Sequence, residues 1–94
     1  MGGTDKQRST IRIYLDILLA AEVEGNAKPT RILQRANLPH DRMMKHVSEL
    51  QKRGLLDEVS NGGSRYYVIT PKGQGFLREA QRAEAFLSAF GVRL

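Results

Sequence analysis

The chain has 94 residues, a net charge of +5, 40% hydrophobic residues and no cysteine. This length makes one domain around a single modest core, and the lack of cysteine excludes disulfides and thiolate metal sites. The longest apolar run, Ile13 to Val23, is broken by Asp16 and Glu22 and is too short to cross a bilayer. No apolar segment typical of a signal peptide stands at the start, and position 6 is Lys where a myristoylation motif wants Ser or Thr.

In chain order, residues 1–9 (MGGTDKQRS) are polar and Gly-rich and read as a flexible tail. Ser9 or Thr10 caps a helix running to about Glu24, in which Ile11, Tyr14, Leu18 and Ala21 recur at spacings of three and four. Gly25-Asn26 ends it. Pro29-Thr30 opens a second, short helix with Ile32, Leu33 and Ala36 facing inward and Arg31, Gln34 and Arg35 outward. Asn37-Leu38-Pro39 turns the chain, with Leu38 as a buried plug.

A third helix is expected over His40 to Arg53, anchored by Met43, Val47 and Leu50 and closed by Gly54. Its opposite side carries Arg42, Lys45, Glu49 and Lys52, flanked by Met44 and Ser48. Leu55–Val59 and Arg65–Ile69 have strand character, with Tyr67 and Ile69 on one side of the second strand and Tyr66 and Val68 on the other. Between them, Ser60 to Ser64 form a hairpin loop of turn-forming residues. A last helix is expected from about Gln74 to Phe90. Within it Phe76, Ala80, Ala83, Leu87 and Phe90 follow a heptad pattern and are assigned to a homodimer contact. Leu77 and Phe86 form a second stripe, assigned to the domain core. The rival assignment packs the heptad stripe back on its own domain.

The charge is confined. From Lys28 to Arg53 seven cations (Lys28, Arg31, Arg35, Arg42, Lys45, Lys52, Arg53) stand against two carboxylates (Asp41, Glu49), which accounts for the whole net charge. Clustered cations are the electrostatic footprint of phosphate binding. Signs of catalysis are weak. His40 and His46 are six residues apart and fall on different helix faces, and no zinc-ligand spacing exists. After Gly73-Gln74-Gly75 the third glycine of a dinucleotide loop would fall at position 78, which is Arg. Ser60, Ser64 and Asp57 form no recognisable triad. The expectation is therefore a protein that is not an enzyme and needs no metal or cofactor.

Helix, turn, basic helix and hairpin, in that order, predict a mainly α winged helix-turn-helix with a small β-hairpin wing and an added C-terminal helix. The segments PTRILQRANL, MMKHVSELQKRGLLDE and YYVITPKGQGFL resemble small archaeal winged-helix DNA-binding proteins, some of them predicted transcriptional regulators and others chromatin-associated proteins that dimerise through a C-terminal helix. The resemblance covers about Ile11 to Phe90. It departs at Pro39, where such proteins often place Ser, and in a shorter last helix.

The resemblance implies a tail at 1–9, a winged domain at 10–72 and a dimerising helix at 73–94. It implies that the third helix enters the DNA major groove, and the residues themselves support this division of labour. Arg42 and Lys45 would meet base edges or nearby phosphates, with His40, Met44, Ser48 and Lys52 beside them. Arg31 and Arg35 would hold the backbone, and Arg65 would act from the base of the wing. The function expected is double-stranded DNA binding by a homodimer, as a transcriptional regulator or a chromatin protein, in the cytoplasm at the nucleoid and without membrane contact. A protein-interaction module on the same scaffold and RNA binding are the alternatives.

Overall fold

A computed structural model describes residues 8–94; most of the tail expected over residues 1–9 lies outside the described residues. Helix α1 spans Thr10–Glu24, α2 Pro29–Ala36 and α3 His40–Lys52; strands β1 (Leu56–Asn61) and β2 (Ser64–Ile69) follow, and α4 runs Pro71–Ser88.

Ser9 caps α1, its hydroxyl accepting from the Arg12 N–H at 3.1 Å. Ile17, Leu18 and Ala21 are wholly buried, so α1 is the central beam of the core. Gly25 ends the helix at φ 80°. Two residues on, Ala27 pairs with Tyr67 through N–H···O bonds of 2.9 and 2.8 Å in both directions, adding one rung to the edge of the hairpin. Pro29 opens α2, and Asn37 leaves it in the left-handed region at φ 55°, where Asn is one of the few tolerated side-chain residues. Leu38 is buried as the plug of the turn. Pro39, extended at ψ 155°, takes the N-cap position of α3 with no side-chain cap bond.

The buried face of α3 is Met43, His46, Val47 and Leu50. His46 extends the expected stripe, because position 46 lies one turn from both Met43 and Leu50. The strands pair antiparallel from Leu56↔Ile69 to Asn61↔Ser64. The connection is thus two residues, Gly62-Gly63, rather than the five-residue loop expected. Both glycines have positive φ (59° and 83°), which only a primed turn needs and which lets the ladder extend to its tip.

Helix α4 starts at Pro71, three residues before the expected Gln74. Thr70 is its N-cap: the hydroxyl accepts from the Gly73 N–H at 2.8 Å and donates to the Gly54 carbonyl at 2.7 Å. Gly73 sits so close to the turn after α3 that a β-carbon there would lie 2.1 Å from the Leu55 carbonyl oxygen. Leu77 enters the core, with Phe76 and Ala80 partly buried against it. Ion pairs Arg12–Glu84 and Arg78–Glu22 then hold α4 antiparallel along α1. The heptad stripe therefore divides: Phe76 and Ala80 cover their own domain, while Ala83 and Phe90 face solvent. Phe86, assigned to the core from sequence, is 64% exposed.

Candidate nucleic-acid interface

The outer face of α3 presents His40, Arg42, Lys45, Ser48 and Lys52 to solvent. Their spacing follows from the buried stripe: fixing Met43, Val47 and Leu50 inward leaves positions 42, 45, 48 and 52 outward on a 3.6-residue helix. The His40 ring lies at this helix's start, its Nδ1 3.7 Å from the carboxylate of the fully exposed Asp41.

Two α3 residues expected on that face are turned away from it. Met44 is half-buried against the core, with the Tyr67 hydroxyl 3.9 Å from its sulfur. Glu49 is drawn toward α1. The Tyr14 hydroxyl donates to its Oε1 at 2.7 Å, and the His46 Nδ1 lies 3.4 Å from the same oxygen. The Tyr14 bond, with help from His46 and Lys45, holds the Glu49 carboxyl below the usual carboxylate range. Burial and the Glu49 contact push the Tyr14 hydroxyl up. Arg53 lies over the Tyr14 ring, 5.7 Å from its centroid, a cation–π position, and His46 meets the same ring edge-on at 5.8 Å. The polar cluster of buried Tyr14 and His46 with half-buried Glu49 and exposed Arg53 thus pins the inner side of α3 to α1.

On α2, Arg31 and Arg35 are half-exposed but share one partner, the Oε2 of Glu24 in the last turn of α1. Their guanidiniums, Arg35 first, pull the Glu24 carboxyl below its ordinary range. The trio therefore offers one net positive charge where two free arginines were expected. Arg65 pairs with Glu58 at 3.1 Å, a diagonal pair across the hairpin. The Tyr67 hydroxyl and Glu58 push the Arg65 guanidinium further above its ordinary value.

Lys28 and Arg65 line one open cleft with Pro29, Thr30 and Ser64, where the start of α2 meets the first residues of β2; Arg65 thus lies near the tip of the wing, not at its base, because the turn is only Gly62-Gly63. Lys28 counted toward the basic segment but not as a contact residue. Its neighbour is made by the Ala27–Tyr67 rung, a long-range pairing with no local signal. At the far end of α4, the Phe86 and Phe90 rings lie 5.3 Å apart and are 64% and 72% exposed. Among the described residues, no cluster could hold a metal ion, and no helix is long and apolar enough to cross a membrane.

A family model described as winged helix-turn-helix matches residues 7–87. The chain belongs to the winged helix-turn-helix family. In this winged helix-turn-helix, α2 and α3 form the helix-turn-helix, β1 and β2 the wing. Among solved structures it is similar to Sso10a-2, a DNA-binding protein from Sulfolobus solfataricus, at 25% identity and TM-score 0.72, over 89% of this chain and 90% of that one. It shares its fold with the transcriptional regulator BldR, also from Sulfolobus solfataricus (23% identity, TM-score 0.66, 81% of this chain). It also shares it with Bordetella bronchiseptica BpsR, whose DNA binding is regulated by 6-hydroxynicotinic acid (16% identity, TM-score 0.69, 81% of this chain). This winged helix-turn-helix spans 60% of the BldR chain and 55% of the BpsR chain. No curated protein matches it in sequence.

Proposed function

We propose that this protein binds double-stranded DNA, with α3 as the helix laid in the major groove. The observation that carries the reading is the outward row Arg42, Lys45 and Lys52 on α3, flanked by the Lys28–Arg65 cleft at the wing. A helix fits the roughly 12 Å major groove of B-DNA, and cations on either side of it are placed for the two phosphate strands. Arg42 and Lys45 act at base edges or the nearest phosphates, with His40 and Ser48 beside them. Lys28, Arg65, Arg31 and Arg35 hold the backbone. Met44 contributes through the core instead. The likeness to the DNA-binding protein Sso10a-2, over nearly the whole of both chains, supports the reading. The role is that of a transcriptional regulator or a chromatin-associated protein.

The working unit is a homodimer joined at the end of α4. The exposed Ala83, Phe86 and Phe90 support this, with half-buried Leu87 beside them. Phe76 and Ala80 serve the protomer's own core, so the contact is shorter than the full heptad stripe.

The test is the double variant Arg42→Glu, Lys45→Glu, measured by fluorescence anisotropy on duplex DNA across a salt series. Affinity should fall at least tenfold, with helix content by circular dichroism unchanged. In the unaltered protein, binding should weaken with salt at a log–log slope of about −0.9 per phosphate neutralised. Unchanged affinity in the double variant would overturn the assigned face, and preference for structured RNA at matched salt would overturn the choice of duplex DNA.

A further inference from the structure

Glu49 is the one carboxylate in the last three turns of the proposed reading helix, and it sits one turn from a cation on either side, Lys45 and Arg53. Spacings of four on a helix bring such charges into contact. A Glu49 lying along the outer face would thus cancel a cation and repel phosphate. Its carboxylate is instead directed at α1, where the Tyr14 hydroxyl donates to Oε1 at 2.7 Å and the His46 Nδ1 stands 3.4 Å away. Tyr14 is itself held: the residue is 8% exposed, with His46 against the edge of its ring and the Arg53 guanidinium over its face.

We infer that Tyr14 is a positioning residue for nucleic-acid binding, a tether that keeps the Glu49 carboxylate off the phosphate-facing surface of α3. The inference rests on the DNA-binding reading above. Tyr14 touches no DNA. It acts by drawing the Glu49 carboxylate toward α1, which leaves the Lys45 ammonium for the polyanion, while Arg53 stays engaged over the Tyr14 ring and with the Glu49 carbonyl. The ring fills the core, while the hydroxyl alone does the tethering, so Tyr14→Phe separates the two roles.

Three variants, Tyr14→Phe, Glu49→Gln and the double change, would be compared with the unaltered protein by duplex-DNA anisotropy from low to moderate salt. Tyr14→Phe should weaken binding several-fold at low salt and make the log–log salt slope shallower by about one, the loss of one phosphate contact. Glu49→Gln should bind at least as tightly as the unaltered protein. On the Glu49→Gln background, Tyr14→Phe should change neither affinity nor slope, since no carboxylate remains to be released. A Tyr14→Phe penalty of equal size on both backgrounds would assign the residue to packing alone and overturn the inference. Indifference of affinity and slope to Tyr14→Phe would overturn it equally. Failure of the unaltered protein to bind any duplex at low salt would reject the DNA reading, and the tether with it, before any variant is considered. An independent readout is the ultraviolet titration of the Tyr14 hydroxyl, which should move down toward the ordinary tyrosine range in Glu49→Gln.

Discussion

Gly73 and Gly75 lie two residues apart in the first turns of α4, and a methyl group would affect them oppositely. At Gly75 a β-carbon meets nothing within 4 Å, so Gly75→Ala should follow helix propensity and stabilise by about 0.5–1 kcal/mol. At Gly73 the same atom would stand 2.1 Å from the Leu55 carbonyl oxygen and 2.8 Å from the Ile69 side chain. One of those neighbours is backbone and cannot rotate aside, so Gly73→Ala should cost about 3 kcal/mol, at the upper end of overpacking penalties. Urea midpoints of the two variants check the pair. Equal effects would mean that α4 does not approach the turn after α3 as closely as described. From sequence the two glycines suggested only a failed phosphate loop; what separates them is contact with Leu55, eighteen residues earlier.

At the scale of elements, Glu24 is the joint between α1 and α2. It sits in the last turn of α1, where a carboxylate opposes the helix dipole, and Arg31 and Arg35 of α2 offset that by converging on it. Because its folded pKa lies below the ordinary value, its contribution to stability is present above the usual glutamate range, about 4.3, and is lost as pH falls through the lower folded value. Glu24→Gln should therefore be less stable than the unaltered protein near neutral pH, and the gap between their urea midpoints should close as the pH drops below that range. The same change frees both arginines, so duplex affinity at low salt should rise and the salt slope steepen.

The helices were legible because each carries its own boundary chemistry: Ser9 and Gly25 for α1, Pro29 and Asn37 for α2, Gly54 after α3. The apolar stripes of α1 and α3 were legible for the same local reason. The stripe on α4 was visible, but its partner was not. A spacing of 3.5 residues reports that Phe76, Ala80, Ala83, Leu87 and Phe90 share a side. Whether α1 or solvent lies opposite depends on where the core ends, and it ends near Ala80. Side-chain directions outside the core stripes were the least legible. Glu24, Glu49 and Met44 are redirected by Arg35, Tyr14 and Tyr67, partners eleven, thirty-five and twenty-three residues away.

For the whole molecule, the unburied end of α4 is the feature that matters most. Phe86 and Phe90 leave two large rings in water with Val92 nearby at 48% exposure, on a protein whose other aromatic side chains are at least half-buried. Light scattering at high micromolar concentration should give about twice the 10.6 kDa chain mass. Phe86→Glu with Phe90→Glu should return the monomer mass while keeping helix content, since neither ring supports the protomer core. A native protein that stays monomeric would remove the dimer from the proposed function.

Thr70 joins the turn after α3 to the start of α4 through one hydroxyl, bonded to Gly54 on one side and Gly73 on the other. In a two-fold assembly built on α4, that seam sets the bearing of each α3 relative to the symmetry axis. Eighteen residues of helix make α4 roughly 27 Å long, so a tilt of about 5° at the seam would sweep its far end by some 2 Å, over half the ~3.4 Å rise of one base step. A lever of that length needs a joint without play, and a glycine with no room for a methyl group, bolted by a doubly bonded threonine, is such a joint.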